Sequence, residues 1–120
     1  MIHLQLEQLK TNLSLGKTVE QWLGYKKYID YTLLRWIRIE MEKNQEYTVA
    51  YIESFDEGNI DFIDIYEFGT LDPDEPLGVL TTFSNQSEAI NFSIQEYGAK
   101  LDKFVSEGMI QEEYLIYLKN

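Results

Sequence analysis

The sequence predicts an α+β fold, a two-layer domain in which a four-stranded antiparallel meander carries N-terminal and C-terminal helices on one face. Three observations lead there. Apolar residues at steps of three and four open and close the chain; its middle, from 31 to 84, is rich in β-branched and aromatic residues broken by polar turns. The order of these patterns, α–ββββ–α–α, sets a sheet against helices instead of alternating with them. A chain of 120 residues is expected to form one domain over 1–120.

Each element follows from a local pattern. Ile2, Leu6, Leu9 and Leu13 share one face of a first helix that Gly16 stops. Thr18 and Gln21 have capping-box spacing, so TVEQWLG is expected to open a short helix or a turn. YTLLRWIRIEM (31–41) is the first predicted strand, EYTVAYIESF (46–55) the second and IDFIDIYEF (60–68) the third, with EKNQ and DEGN as turns between them. GTLDPDEPLG (69–78) has the composition of a loop, and VLTTFS (79–84) is the fourth strand. Asn85 and Glu88 form a capping-box pair that opens a helix through Ile90, Ile94, Tyr97, Leu101 and Phe104. Gly98 is a weak point inside it and Gly108 its stop; IQEEYLIYL (110–118) is a last short helix.

Charge is distributed unevenly. Twelve acids and no base fall within 44–99, a net of −12, while 1–43 carry +2 and 100–120 carry −1. Such a field repels nucleic acid and anionic lipid and steers cationic partners toward it, so neither nucleic acid nor membrane is an expected partner. The opening residues lack a basic region and a continuous apolar block, and no stretch approaches the roughly 20 apolar residues of a spanning helix. Cysteine is absent, which removes disulfides, thiolate metal sites and a Cys nucleophile. A cytoplasmic protein is the expectation.

The pairing register carries the site expectation. If EKNQ and DEGN are four-residue hairpin loops, Met41 pairs with Glu46 and Phe55 with Ile60. Period two then gives an aliphatic face of Leu33, Ile37, Ile39, Met41, Ala50, Ile52, Ile63 and Ile65. The opposite face gathers Trp36, Tyr47, Val49, Tyr51, Phe55, Phe62, Tyr66 and Phe68, with Arg38, Glu40, Glu53 and Asp64 among them. Antiparallel sheets commonly give their second face to water, so an aromatic second face suggests a cover: a partner, a second copy, a ligand or the terminal helices.

Specific chemistries find little support. DPDEPLG offers Asp72 and Asp74 as calcium ligands, but Pro76 and Leu77 stand at the fifth and sixth positions, where an EF-hand loop needs a ligand and a glycine. A solvated turn explains it better. His3 is the only histidine, which leaves zinc and triad chemistry without an inventory, and there is no glycine-rich phosphate loop. No cofactor or metal is expected. Glu53 and Asp64 beside Arg38 are the one candidate acid–base pair.

The preferred expectation is a non-enzymatic acidic protein that binds a basic protein partner, of an inhibitor, immunity or regulatory kind, through Trp36, Arg38, Tyr51, Glu53, Phe62, Asp64, Tyr66 and the loop acids Asp72, Asp74 and Glu75. The alternatives are a small-molecule-binding domain or minor enzyme using Glu53 and Asp64, and a homodimer whose aromatic faces bury each other.

Overall fold

The computed structural model describes residues 3–120. Ile2, expected in the first helix, lies outside them. Helix α1 (Leu6–Ser14) begins where the Gln8 side chain accepts a hydrogen bond from Gln5 N at 2.9 Å, and it buries Leu9 and Leu13. Five strands follow: β1 (Val19–Lys27), β2 (Thr32–Met41), β3 (Tyr47–Phe55), β4 (Val79–Phe83) and β5 (Val105–Ser106). Helix α2 (Gln86–Tyr97) lies between β4 and β5, and α3 (Ile110–Lys119) closes the chain. All strand pairs are antiparallel, in the order β4-β3-β2-β1-β5.

The α+β class and antiparallel sheet match the sequence reading, but the sheet has five strands instead of four, the helices lie on both of its faces instead of one, and three of the expected elements change. TVEQWLG is strand β1, not a helix or turn. Burial overrides local propensity there: Val19 and Glu20 are fully buried and Gln21 nearly so, one pointing to each face in turn. The amide of Gln21 pairs with the Lys100 backbone in both directions, at 2.7 and 2.9 Å, replacing the water it lost. A strand buried on both faces shows no apolar–polar alternation.

The second change concerns 60–68, which is not a strand. The end of β3 is instead bonded by the next segment: Phe55 N donates to Gly69 O and Leu71 N to Glu53 O, both at 2.9 Å. The freed segment folds over the sheet with a 3-10 turn at Ile65–Glu67 and buries Ile65 and Phe68, three residues apart. Its carboxylates Asp61, Asp64 and Glu67 also recur every third residue, a spacing that does not suit a strand. The chain enters β4 through Gly78, whose φ of +88° suits glycine and where an added Cβ would stand 2.4 Å from Tyr51 O. Helix α2 stops at Gly98 in a left-handed cap, φ +74°, so Leu101 and Phe104 lie beyond it.

The register differs from the expected one by a single residue. Glu42 N donates to Glu46 O at 2.7 Å and Gln45 has φ +66°, so the β2–β3 turn holds five residues, 42–46. Met41 therefore pairs with Tyr47. The slip exchanges the faces of β3. Tyr47, Val49 and Tyr51 join Ile37 and Ile39; Ala50 and Ile52 join Arg38 and Trp36.

Helices lie on both faces of the sheet, not on one as the sequence predicts. On the first face α1 and α2 pack Leu9, Leu13, Ala89 and Ile90 onto Ile37, Ile39 and Val49, with Phe104 completing the cluster. On the second, Ile110 and Tyr114 of α3 join Ile65 and Phe68 over Leu34, Trp36 and Ile52. Full burial of such a side chain is worth about 1.5–3 kcal/mol, so both clusters hold the sheet.

Candidate functional site

The second face is covered only in part. Cross-strand rows on it run Leu34–Ser54, Trp36–Ile52, Arg38–Ala50 and Glu40–Thr48, and β4 extends the last two with Leu80 and Thr82. The segment that leaves β3 arches over these rows through Ile65, Tyr66, Phe68 and Thr70 and returns through Pro76 and Leu77. Between arch and sheet lies a groove of about 420 Å³. Thr48 and Ser54 are six steps apart along the strand, about 20 Å at 3.3 Å per step. One end, at Ser54, Trp36, Ile65 and Phe68, is apolar; Glu40 and Glu42 line the other. Ala50, the smallest side chain of these rows, stands between Arg38 and Leu80.

Three residues lining this groove carry a buried polar atom without a hydrogen-bond partner: Trp36 Nε1, Arg38 Nε and Ser54 Oγ. Trp36 is 2% exposed and Ser54 1%. Buried polar groups are normally bonded, so three orphans along one groove are unusual. A fourth, Gln86 Oε1, belongs to a side chain whose nitrogen already joins α2 to Ser14 of α1 at 2.9 Å.

One wall is held by a charged network. Glu20 is fully buried; its carboxylate accepts from the Tyr66 hydroxyl at 2.5 Å, from Gly108 N at 3.0 Å and from Ile110 N at 3.4 Å. Arg38 Nε stands 3.8 Å from Glu20, while its Nη2 lies 2.7 Å from Glu107 and 3.0 Å from Glu40. The guanidinium sits 5.6 Å from the centre of the Tyr66 ring, and that ring meets Trp36 edge-on at 5.5 Å. Burial raises the pKa of Glu20 above its ordinary value, against the lowering effects of the Tyr66 hydrogen bond, the backbone donors and Arg38. Burial, then the hydrogen bond and charge of Glu20, raise Tyr66 well above a free tyrosine. The network ties β1, β2, the arch and the start of α3 together and matches the one cation of the groove with three carboxylates.

Of the residues singled out from sequence, Trp36, Arg38 and Tyr66 meet here. Tyr51 and Glu53 lie on the opposite face, where Arg35 Nε donates to the Tyr51 hydroxyl at 2.8 Å and that hydroxyl donates to Glu53 at 2.9 Å. Tyr51 also stacks on Tyr97 with centroids 4.2 Å apart, fastening β3 to α2. Asp64 accepts from Gln111 of α3 at 3.3 Å, so the expected juxtaposition of Glu53 and Asp64 on one sheet face does not form. The slipped register and the arch explain the separation. Phe62 is half exposed and leans on Phe68 at 5.7 Å. Asp72, Asp74 and Glu75 are exposed at a turn in which Asp72 Oδ1 accepts from Asp74 N at 2.9 Å. Sequence reasoning missed Glu20, Ala50 and Ser54. Glu20 had a signal, a carboxylate between Val19 and Trp22 in a chain segment of mixed polarity, whereas Ala50 and Ser54 had none.

The acids of 44–99 are a separate feature, spread over the arch and the 72–75 turn, over Glu53 on the other sheet face and over Glu88 and Glu96 of α2. Among the described residues, ion pairs involve Glu20, Glu40, Glu107 and Glu113, and none of the twelve acids between 44 and 99 has a cationic partner. Leu71, Leu77, Val79 and Leu80 are exposed among them. Within the described residues no three His, Cys, Asp or Glu side chains converge to hold a metal ion, and no helix is long and apolar enough to cross a membrane. Comparison with protein-family models, curated proteins and solved structures finds no match.

Proposed function

We propose that the chain is a non-enzymatic binding protein whose acidic side docks a basic protein partner. The observation that carries this reading is the unpaired state of the acids in 44–99, eight of which are exposed, with apolar Leu71, Leu77, Val79 and Leu80 set among them. Unmatched carboxylates repel one another and cost stability, and a mixed surface would be equally soluble. A cationic partner would relieve that repulsion, and the leucines and Val79 would give it apolar contact. The separation of Glu53 from Asp64 removes the best acid–base pair and favours binding over catalysis.

The test is capture on the immobilised protein from native lysate, washed from about 0.15 M to about 1 M salt, which shortens the screening length from about 8 Å to about 3 Å. A basic protein retained at low salt and released at high salt is the expected result. Its association with the Asp72→Asn/Asp74→Asn/Glu75→Gln variant should be slower and less dependent on salt. Recovery of the chain alone at every salt, or association indifferent to salt and to the variant, would overturn the reading.

A further inference from the structure

We infer that the basic partner docks at the open edge of β4, adding an extended Lys- or Arg-rich segment to the sheet as a further strand. The inference deepens the acidic-docking reading and rests on it, since it names the surface and the backbone conformation through which that partner binds.

The two edges of the sheet differ. Strand β5 is two residues long and its outer side is occupied: His3 bridges Val105, and Leu4 N donates to Phe104 O at 2.7 Å. Strand β4 forms the other edge with five residues, an ordinary strand length. Exposed edges are normally blunted by a lysine, a proline, a bulge or extreme shortness, because their free backbone groups template another strand. VLTTF has no charge and no proline, and its pairing with β3 is regular throughout. Val79 and Leu80, on opposite faces, are 46% and 54% exposed.

The register identifies the free groups. Phe55 N donates to Gly69 O and Leu71 N to Glu53 O, whereas Asp56 N donates to Thr32 O. Odd residues of β3 therefore aim their backbone groups away from β2, and Tyr47, Val49 and Tyr51 bond Phe83, Thr81 and Val79. The N–H and C=O groups of Leu80 and Thr82 consequently point off the edge, where they have no hydrogen-bond partner among the described residues. An extended chain laid beside them would supply one for each.

Charge selects that chain. Glu53, Asp72 and Glu75 lie around Val79 in a shallow depression at one end of the strand. On the first face Phe92 of α2 meets Phe83 with ring centres 4.9 Å apart, and Glu88 and Glu96, four residues to either side, share the stripe of Phe92. On the second face Glu42 and Glu46 stand beside Leu80 and Thr82, with Lys43 as the one cation lining that surface. A second copy paired edge to edge would set these carboxylates against their duplicates. A cationic strand relieves their repulsion, and its alternate side chains reach both faces of the sheet, where Val79 and Leu80 offer apolar contact.

The probe is the acetylated, amidated peptide Lys-Val-Lys-Val-Lys-Val-Lys, set against a twin N-methylated at every residue, which keeps the charge but donates no ladder bond. In the ¹⁵N-labelled protein the parent peptide should perturb the β4 amides and, near saturation, slow exchange of the Leu80 and Thr82 amides by about fivefold or more. The twin should bind about tenfold more weakly or less. Thr82→Pro removes an outward donor and no bond to β3, which an edge strand tolerates, and should weaken the parent peptide by about tenfold. If that variant does not fold, the twin carries the test on the unaltered protein. Equal binding of both peptides, with exchange at Leu80 and Thr82 unchanged, would overturn strand addition while leaving acidic docking in place. Undisturbed β4 amides at about 5 mM peptide, beyond the millimolar range of weak specific binding, would overturn it as well. A native lysate that yields no basic partner contradicts the docking reading itself.

Discussion

On the face that α1 and α2 cover, Ile37, Ile39 and Val49 are wholly buried, and the buried hydroxyls of Tyr47 and Ser93 are bonded to Leu13 O at 3.1 Å and Ala89 O at 2.9 Å. On the other face, one sheet thickness away, Trp36, Arg38 and Ser54 each keep a buried polar atom without a partner beside a groove of about 420 Å³. The same three central strands supply both. One side closes with mixed aliphatic and aromatic packing; the other is propped open by an arch that rests on the Glu20–Tyr66–Arg38 network. Stability and site are thereby divided between faces, and a substitution should reveal which side it touches.

The largest contrast comes from the closed face. Ile37→Ala, on a central strand, should lower unfolding free energy by about 2–5 kcal/mol, read from the urea midpoint at unchanged slope. A loss below 1 kcal/mol would mean the face is not close-packed.

On the arch side, Tyr114→Phe removes a hydroxyl that donates to Asp56 and should cost about 1–3 kcal/mol, because the carboxylate keeps only Tyr117, at 3.2 Å. Burial, followed by the charge and hydrogen bond of Asp56, pushes the Tyr117 phenol up to about 12. An absorbance titration of the native protein should therefore show tyrosines that ionise only in strongly alkaline solution. Ionisation of every tyrosine near 10 would separate these phenols from Asp56.

Glu20 supplies the pH dependence. Its pKa is raised in the fold above 4.5, so the fold holds a proton on it more readily than the unfolded chain does. The stabilisation it gives is complete below that value and is lost as pH rises through the native pKa. Glu20→Gln should therefore gain on the parent with rising pH across this window, and the gap should close in acid. A gap that widens in acid would reverse the sign of the burial effect.

The smallest change is expected from neutralising Asp72, Asp74 and Glu75. Stability should move by no more than about 0.5 kcal/mol, upward if at all, since their removal relieves repulsion and breaks no ion pair. A loss above 1 kcal/mol would make the loop structural.

Much of the helical framework and three of the strands, β2, β3 and β4, were legible from pattern alone. Leu9 and Leu13, the Asn85–Glu88 cap and the 110–119 helix follow local periodicity, and β2 and β3 announce themselves by β-branched residues. What failed depended on tertiary context. Strand β1 hides because Glu20 and Gln21 are buried with dedicated partners, which no propensity describes. The arch was misread as a strand although its acids recur every third residue. A single extra residue in the 42–46 turn then sent Tyr51 and Glu53 to one face and Trp36 and Arg38 to the other. Half of the candidate site hung on that turn.

The most direct measurement of the difference between the faces is urea unfolding of two alanine variants. Ala89 of α2 is fully buried in the closed cluster, and Ala50 floors the groove at 7% exposure. Ala89→Leu should lose about 1–3 kcal/mol by overpacking, whereas Ala50→Leu should stay within about 0.5 kcal/mol of the parent because the groove receives the added methylenes. Equal losses in the two variants would mean that both faces are closed, and the division between a packed side and an open one would be contradicted.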